Sequence, residues 1–236
     1  MRLRDDEKAM LAGDQGPAVQ KAMDLLVRYG QALDAQCLVD TRNVAGTIGA
    51  TTPFLRQYAD RQGGMDAVFS EFNLDSAEVV EIPKVKVFSS HLQQGIDPRH
   101  AERQGISQDV VRIYETGQAY SSSLGVQPLN TCTPYQVGNV PVKGEHCAWM
   151  ESSAVIYINS VLGARTNAEG RESTGAAMLT GKIPYWGLHI DENRRGTHLI
   201  ELAIEISTTA DWGLLGYWIG EQVQDRIPVI EGVSHQ

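Results

Sequence analysis

The stretch from Thr131 to Asn167 constrains this chain most. It is dense in cysteine, histidine, glutamate, serine, threonine, asparagine and arginine side chains. Such groups bind metals, carboxylates or hydroxyls, and the glycines and prolines among them let the backbone bend closely. We therefore expect the functional site in this stretch, and we expect the preceding chain to serve mainly as scaffold.

The composition is that of a chain able to bury a sizeable core. Of its 236 residues 42% are hydrophobic, which fits one large domain or two modest ones. The formal net charge of -9 and the lack of a basic run argue against a nucleic acid as partner. No apolar run approaches the roughly 20 residues that cross a bilayer, and the charged N-terminal segment is unlike a signal peptide. A cytoplasmic protein without membrane contact is expected.

Helical and strand-like patterns alternate along the chain and predict an α/β fold. Strands are predicted at 37–39, around Pro83 within 79–88, at 154–158, 200–206 and 227–230, with a polar turn at 89–91 and a loop at 40–49. Helices are predicted at 5–11, from Pro17 to near Gly30, at 54–60, after Ser107, at 145–149, from Ser173 or Thr174 to Gly181, and after Thr208 or Thr209. The whole chain, 1–236, is treated as one region with a sub-boundary near 125–130.

Cys132 is the cysteine whose surroundings favour a chemical role. It lies between two threonines and before Pro134, so a rigid turn can hold its thiolate near backbone N–H groups. Two interpretations stay open from the residues alone: a ligand of a metal or iron–sulfur cluster, or a small buried side chain. Cys37 and Cys147 are expected to be packing residues, and the odd number of widely spaced cysteines indicates reduced thiols.

The other polar groups of the stretch suggest acid–base chemistry and anion binding. Glu145 and His146 can act as acid or base, and 151–153 can act chemically or simply cap a helix. Arg165 offers a planar fork for a carboxylate or phosphate, with Thr166 and Asn167 beside it, although a surface salt bridge is the alternative. The polar cluster at 189–195 can line a cleft or cover one.

The same residues resemble the catalytic large subunit of the aconitase X family, hydro-lyases related to aconitase. The motifs that carry the resemblance are Cys132–Tyr135, Gly138-Asn139, Gly144–His146, Glu151–Ala154 and Asn159–Asn167. It extends to further segments, Glu7–Gly13, Gln20–Met23, Tyr185–Arg194, Asp211–Gly213 and Gly216-Tyr217, and so covers most of the chain.

The resemblance implies an aconitase-like α/β fold, with mixed sheets and flanking helices, that dehydrates a small hydroxy acid with an iron–sulfur cluster. On the matched motifs we assign Cys132 as a cluster ligand. The expected catalytic residues are Glu145, His146 and Ser153. Side chains expected to bind substrate are Thr133, Tyr135, Asn139, Arg165, Thr166 and Asn167.

This chain departs from the family pattern in two loops and in length. Thr41–Gly46 replaces a Ser-Ala-His-like loop, and Ser89–Leu92 replaces a Thr-Leu-Asn-like turn. Family large subunits run well beyond residue 236, so we expect a C-terminally truncated chain, further cysteine ligands outside it, and little activity in isolation. The expected partner is the small swivelling subunit or domain of the family.

Known members act on cis-3-hydroxy-L-proline or mevalonate 5-phosphate, and we favour the first slightly. Two other functions remain open. One is a non-catalytic relic that binds anions around Arg165 without a cluster. The other is a hydrolase that uses Cys132 with His146, which is disfavoured because no orienting partner accompanies that pair.

Overall fold

The computed structural model describes residues 1–48, 82–92 and 96–233. They fall into two compact units, Met1–His189 and Ile190–Gln236. The sub-boundary expected near 125–130 lies inside the first unit. The helix predicted at 54–60 and the first part of the strand predicted at 79–88 lie outside the described residues.

Two N-terminal helices begin the first unit. Helix α1 spans Asp5–Ala12 and ends at Gly13, whose φ of 95° suits a residue without Cβ. Helix α2 spans Pro17–Ala32, with proline in its first turn as predicted. Its apolar residues recur at helical spacing and bury one face, which contributes Val19, Ala22, Met23 and Leu26 to the core.

A short antiparallel ladder joins the start of the unit to its end. Strand β1, Leu38–Asp40, pairs with β5, Lys182–Pro184. The Lys182 ammonium lies 2.6 Å from carboxylate oxygens of both Asp6 and Asp40, so it ties α1 to the ladder.

At the centre of the described part of the first unit lies a parallel sheet of three strands. Strand β2, Asn43–Gly46, lies between β3, Phe88–His91, and β4, Cys147–Trp149. All three strands run in the same direction, so their carboxyl ends meet at one edge. We call that edge, at Gly46, His91 and Trp149, the carboxyl edge, and the opposite one the amino edge. Ligands of open α/β sheets bind outside the carboxyl ends of the strands.

The described part of the first unit contains three further α-helices. Helix α3, Gln108–Ser123, begins after Ser107, whose hydroxyl accepts a hydrogen bond from the Val110 N–H as the sequence predicted. Helix α4 spans Ser152–Ser160. Helix α5 spans Arg171–Thr180, ends at the predicted Gly181, and packs against α2 and β2.

Two predicted elements have the opposite type in the structure. The helix predicted at 145–149 is wrong, because Cys147–Trp149 is the fully buried strand β4. The strand predicted at 154–158 is also wrong, because this segment is in α4, where Ala154, Val155 and Ile158 face the core while Ile156 is 67% exposed. Glu151 and the serines after it therefore begin a helix instead of ending one.

Two predicted connections are strands. The polar turn predicted at 89–91 is wrong, because Ser89–His91 belongs to β3. The loop predicted at 40–49 contains β2, the central strand of the sheet. Both segments are short and polar, so their pairing with neighbours gives them a strand conformation that their own residue pattern does not indicate.

The second unit is a strand–helix–strand arrangement. Strands β6, His198–Glu201, and β7, Pro228–Glu231, are parallel, and helix α6, Thr209–Val223, connects them. Thr208 caps α6 as predicted. The strand predicted at 200–206 stops at Glu201. Among the helices that the structure describes, none combines the length and apolar character needed to span a bilayer.

Candidate active site at the carboxyl edge

A polar segment carries Cys132 to the carboxyl edge. The chain runs beside β3, where the His91 N–H donates to the Gln127 carbonyl at 2.8 Å and the Asn130 N–H donates to the His91 carbonyl at 3.0 Å. Thr131 then turns the backbone, because its hydroxyl accepts a hydrogen bond from the Thr133 N–H at 3.1 Å. Cys132 is therefore held in an exposed turn at the sheet edge.

The thiol of Cys132 lies against the carboxylate of Glu151. Partial loss of solvent around the thiol raises its pKa, and the hydrogen bond and charge of Glu151 raise it further. A thiol in this setting stays protonated at neutral pH until a metal displaces the proton.

Glu151 is held in an unusual backbone conformation between β4 and α4. Its φ of 97° is rare for a residue with a side chain and costs of order 1–3 kcal/mol. The preceding Met150 N–H donates to the Ala45 carbonyl at 3.0 Å, which fixes the end of β4 against β2. Among the described residues no side chain caps α4, so its first N–H groups, at the exposed Ser152 and Ser153, can meet an anion.

Other predicted catalytic residues lie at the amino edge. The Glu145 carboxylate accepts a hydrogen bond from the Val142 N–H at 2.9 Å. The Nδ1 atoms of His146 and His189 are 3.0 Å apart, and the Arg165 guanidinium donates to the His189 carbonyl at 2.9 Å. The length of β4 separates His146 from Met150. The polar residues around His146 at the amino edge are therefore about 13 Å along the strand from those around Glu151 at the carboxyl edge.

Asn139 is engaged inside the sheet region. Its side-chain NH₂ donates to the Ser90 hydroxyl at 2.8 Å, and its side-chain oxygen accepts from the Asn43 amide at 2.6 Å. The Asn43 oxygen in turn accepts from the Trp149 indole N–H at 2.9 Å. This buried network links all three strands, so Asn139 has a clear role in positioning them.

Thr166 and Asn167 also bind neighbouring backbone. The Thr166 hydroxyl accepts from the Trp149 N–H at 3.1 Å, and the Asn167 oxygen accepts from the Leu188 N–H at 2.8 Å. Both side chains are buried. Tyr135 stacks on Tyr157, with ring centroids 3.9 Å apart, and so fixes the segment after Cys132 on α4.

Cys132 fits as one ligand of an iron–sulfur cluster. Such clusters are usually held by three or four cysteines. Cys147 is buried in β4, where loss of solvent raises its pKa, and Cys37 lies near Arg2 outside the edge. The described residues contain no group of three or more histidine, cysteine and acidic side chains able to hold a metal.

Sequence reasoning did not single out Glu151 as the acidic partner of Cys132. The available signal was an acidic residue followed by two serines directly after an apolar segment. The sequence pattern predicts a helix for that segment and puts Glu151 at its end, whereas in the structure Glu151 follows the end of the parallel strand β4.

The fold and the comparisons with known proteins together define the class. Residues 1–192 match the Aconitase X first domain. The chain belongs to the aconitase X family, which confirms the resemblance inferred from its motifs. The predicted aconitase-like α/β fold is also confirmed: the holo-form crystal structure of Thermococcus kodakaraensis aconitase X superposes with a TM-score of 0.73 at 34% identity. That match covers 99% of this chain and 55% of the other.

Two kinds of enzyme are among the relatives. The phosphomevalonate dehydratase large subunit of Thermococcus kodakarensis is 35% identical over 242 residues, covering 99% of this chain and 55% of that protein. The cis-3-hydroxy-L-proline dehydratase of Hypocrea jecorina is 32% identical over 242 residues, covering 99% of this chain and 37% of that protein. The chain thus spans about half, or less, of the length of these relatives.

Proposed function

We propose that this chain is part of a hydro-lyase that removes water from a small hydroxy acid at the carboxyl edge. The observation that carries the proposal is the exposed thiol of Cys132 beside the strained Glu151 at the end of a parallel sheet. The relatives that match nearly the whole chain are named dehydratases, which supports the same reaction class.

Cys132 is the proposed ligand of an iron–sulfur cluster, with the other ligands supplied by polypeptide outside the described residues. When bound, such a cluster supplies a Lewis acid that polarises the substrate hydroxyl. Cys132 must lose its proton to bind iron, and its raised pKa means that cluster assembly releases that proton.

Glu151 is the proposed proton-transfer group of this chain. Its carboxylate adjoins Cys132, so a substrate held at that thiol lies within its reach. The open N–H groups at the start of α4, including that of Ser153, suit the substrate carboxylate, and the Thr133 hydroxyl lies in the turn that holds Cys132.

The remaining site assignments stay predictions. They concern Glu145, His146 and Arg165 at the amino edge, the buried Asn139, Thr166 and Asn167, and Tyr135 on α4. Each of these side chains has a structural contact described above, so a role in chemistry would be additional to that contact. The cytoplasmic location also stays a prediction.

The substrate belongs to the class of small hydroxy acids. Identities of 35% and 32% to the two kinds of dehydratase differ too little to choose between mevalonate 5-phosphate and cis-3-hydroxy-L-proline. Several relatives are named large subunits, so we propose a small subunit as partner. Closure of the cleft by that subunit is part of the same proposal.

The test uses the complete protein with its small subunit, prepared without oxygen. Iron and sulfide are measured, and dehydration of both hydroxy acids is followed by NMR. We expect Cys132→Ser to lose most of the iron and Glu151→Gln to keep the iron but lose at least about 100-fold in kcat. Cys37→Ser is the matched control and should retain both.

Two outcomes would contradict the proposal. Full iron content in Cys132→Ser would remove Cys132 from the cluster, and unchanged kcat in Glu151→Gln would remove its proton-transfer role. A complete protein without iron or turnover that still binds these acids would instead favour the anion-binding relic.

A further inference from the structure

The hydroxyl of Thr47 is buried at the carboxyl edge without a hydrogen-bond partner. Thr47 directly follows Gly46, the last residue of β2, and is only 1% exposed. Among the residues that the structure describes, none forms a hydrogen bond with Thr47 Oγ1. A buried hydroxyl without a partner has lost its hydration without compensation, so such groups are few in folded proteins. The position of this one therefore calls for an explanation.

The backbone of Thr47 is held by one side chain of α5. The Thr47 N–H donates to Thr174 Oγ1 at 3.4 Å, and the Thr174 hydroxyl lies 3.4 Å from the Thr47 carbonyl. Gly46 permits this close approach, because a Cβ atom there would be 2.3 Å from the same oxygen. The backbone of Thr47 is thus fixed without its own hydroxyl, which remains available to a ligand.

The alternation along β2 directs the Thr47 side chain to the α4 side of the sheet. Ala45 belongs to the hydrophobic cluster that packs on α4. Gly46 faces α5, and Ile48 belongs to the cluster that contains the apolar face of α2. Because successive side chains of a strand point to opposite faces, Thr47 shares the α4 side with Ala45.

The register of the sheet places Thr47 beside the start of α4. Ala45 pairs with Trp149 in the parallel ladder, and the Met150 N–H donates to the Ala45 carbonyl at 3.0 Å. Two residues further along, the backbone of Thr47 is level with that of Glu151, about 5 Å away across one strand spacing. Glu151 immediately precedes α4. The Thr47 hydroxyl and the first N–H groups of α4 therefore lie on the same side of the sheet and at the same level.

A second buried polar atom at this edge also lacks a partner. Asn130 lies two residues before Cys132, and its N–H donates to the His91 carbonyl at 3.0 Å. Its Oδ1 atom is buried and makes no hydrogen bond within the described part of the chain, and its φ is 53°. Left-handed backbone at a non-glycine residue and unpaired buried polar atoms both occur preferentially at functional sites. The carboxyl edge thus has the character of a site that a polar ligand completes.

We propose that Thr47 binds the carboxylate of the hydroxy acid, its hydroxyl donating to one carboxylate oxygen while the first N–H groups of α4 donate to the other. This inference rests on the proposed function. A carboxylate accepts several hydrogen bonds at once, and bonds to a charged acceptor are stronger than bonds between neutral groups. A carboxylate held there places the adjacent carbon next to Glu151, the proposed proton-transfer group.

Helix α4 decides which kind of ligand group the hydroxyl meets. A hydroxyl by itself can donate or accept a hydrogen bond. The N-terminus of a helix carries partial positive charge and presents N–H donors, so it favours an anion and disfavours a cation. Beside α4 the Thr47 hydroxyl therefore acts as a donor to an anion.

The inference predicts opposite effects on stability and on binding. Valine has nearly the shape of threonine and would avoid the unpaired hydroxyl. In the protein without ligand the Thr47 hydroxyl is therefore unfavourable for folding, whereas in the complex it gains a charged partner. A hydroxyl with only a structural role would instead contribute to stability.

The test compares Thr47→Val, which replaces the hydroxyl by a methyl group, with Thr47→Ser, which keeps the hydroxyl. It uses the complete protein with its small subunit, and it measures calorimetric binding and turnover of cis-3-hydroxy-L-proline and mevalonate 5-phosphate. For the acid that the parent binds, Thr47→Val should weaken binding and raise KM at least about tenfold, and Thr47→Ser should stay within about threefold. Thr47→Val should unfold at the same urea concentration as the parent or at a higher one.

Thr180→Val is the matched control. Thr180 is also fully buried, but its hydroxyl donates to the Ala176 carbonyl at 2.8 Å and accepts from the Lys182 N–H at 3.2 Å. This variant leaves a buried N–H without its partner, so it should unfold at a lower urea concentration. It should bind the acid as the parent does, because Thr180 lies at the far end of α5 from the carboxyl edge.

The possible results separate this inference from the proposed function. Binding and KM equal to those of the parent in Thr47→Val would overturn the inference alone, as would equal losses of binding in Thr47→Val and Thr180→Val. Binding of an acid without turnover, weakened in Thr47→Val, would support the inference and reject the hydro-lyase reaction. A complete protein that binds neither acid would overturn both.

Discussion

The thiol of Cys132 lies against the carboxylate of Glu151 where the strands β3, β2 and β4 end. The two residues come from different segments, and each is held by the central sheet. The thiol pKa is raised by partial desolvation and by this carboxylate.

The first prediction concerns the acidity of this thiol. Glu151→Gln removes the negative charge beside the thiol, so the pKa of Cys132 should fall although partial desolvation remains. Iron-free protein should therefore react faster with iodoacetamide at neutral pH, because more thiolate is present. Cys132→Ser gives the background from Cys37 and Cys147. A slower reaction in Glu151→Gln would show that the carboxylate promotes ionisation of the thiol instead.

The second prediction concerns the ion-pair network at Lys182. Lys182→Met removes an ammonium that contacts Asp6 and Asp40 at 2.6 Å each, while its own side chain is only 6% exposed. We expect the free energy of unfolding to fall by about 1–3 kcal/mol. This loss is smaller than for a fully buried ion pair, because both carboxylates are half exposed to solvent. Urea titration measures it. Lys8→Met, which breaks an exposed pair with Asp5, should cost at most about 0.5 kcal/mol.

The same network should make stability fall in acid. Hydrogen bonds from Arg4, followed by Lys182, hold the pKa of Asp40 well below its usual range. A carboxyl group whose pKa is lower in the folded than in the unfolded state stabilises the fold at any pH above its unfolded-state pKa. That stabilisation is lost as the pH falls through the folded-state pKa. Lys182→Met should therefore reduce the dependence of unfolding free energy on pH below about 4. If Lys182→Met showed the same decrease of unfolding free energy at low pH as the parent, Lys182 would not be holding the pKa of Asp40 low.

The third prediction concerns Gly46 at the carboxyl end of β2. A Cβ atom at this position would lie 2.3 Å from the Thr174 hydroxyl, which is buried on α5. Gly46→Ala should therefore destabilise the protein by about 1–3 kcal/mol. Thr174→Gly in the same chain removes both the hydroxyl and the Cβ that would meet the new side chain, so it should recover part of that loss. Gly170→Ala is the control, because the added Cβ would be 3.7 Å from the nearest atom. This substitution should lower the free energy of unfolding by at most about 1 kcal/mol.

The fourth prediction decides what Arg165 does. Its guanidinium donates to the His189 carbonyl at the amino edge, so Arg165→Met should lower the free energy of unfolding by about 1–2 kcal/mol. The KM of the complete enzyme should change little, because the proposed substrate site is at the other edge. A KM increase above about tenfold with unchanged stability would support the anion-binding role instead. Arg103→Met, an exposed residue, serves as the control.

The fifth prediction concerns the buried carboxyl of Glu169. Burial raises its pKa, while Ser173 and Tyr29 lower it in part. At pH values between the two pKa values, the folded state therefore retains a proton that the unfolded state loses. The Glu169 carboxyl thus makes the fold less stable as the pH rises above its pKa in the unfolded state. Near pH 8 the free energy of unfolding of Glu169→Gln should exceed that of the parent by on the order of 1 kcal/mol. Near pH 5 the two free energies should differ by less. A constant difference across that range would contradict a raised pKa.

Much of the helical structure was predictable from local pattern. Pro17, Ser107 and Thr208 each marked a helix start, and Gly181 marked an end, because capping depends on residues adjacent in sequence. The motifs around Cys132 were also distinctive enough to predict the family, which the comparison over residues 1–192 confirms.

The parallel sheet was decided by tertiary structure. Cys147–Trp149 and Ser89–His91 are strands because each pairs with β2, a segment that is distant in sequence. Short apolar or polar segments carry little periodicity, so their conformation follows the neighbours against which they are buried. The assignment of 154–158 as a helix depends in the same way on which of its side chains meet the core.

The sequence by itself determined the family and the general α/β class, and it predicted a chemical role for Cys132. Only the tertiary structure placed Glu151 beside that thiol and Glu145, His146 and Arg165 at the opposite edge. The physical reason is that a parallel sheet separates the two ends of each strand, while residues near one another in sequence can lie on either side of it.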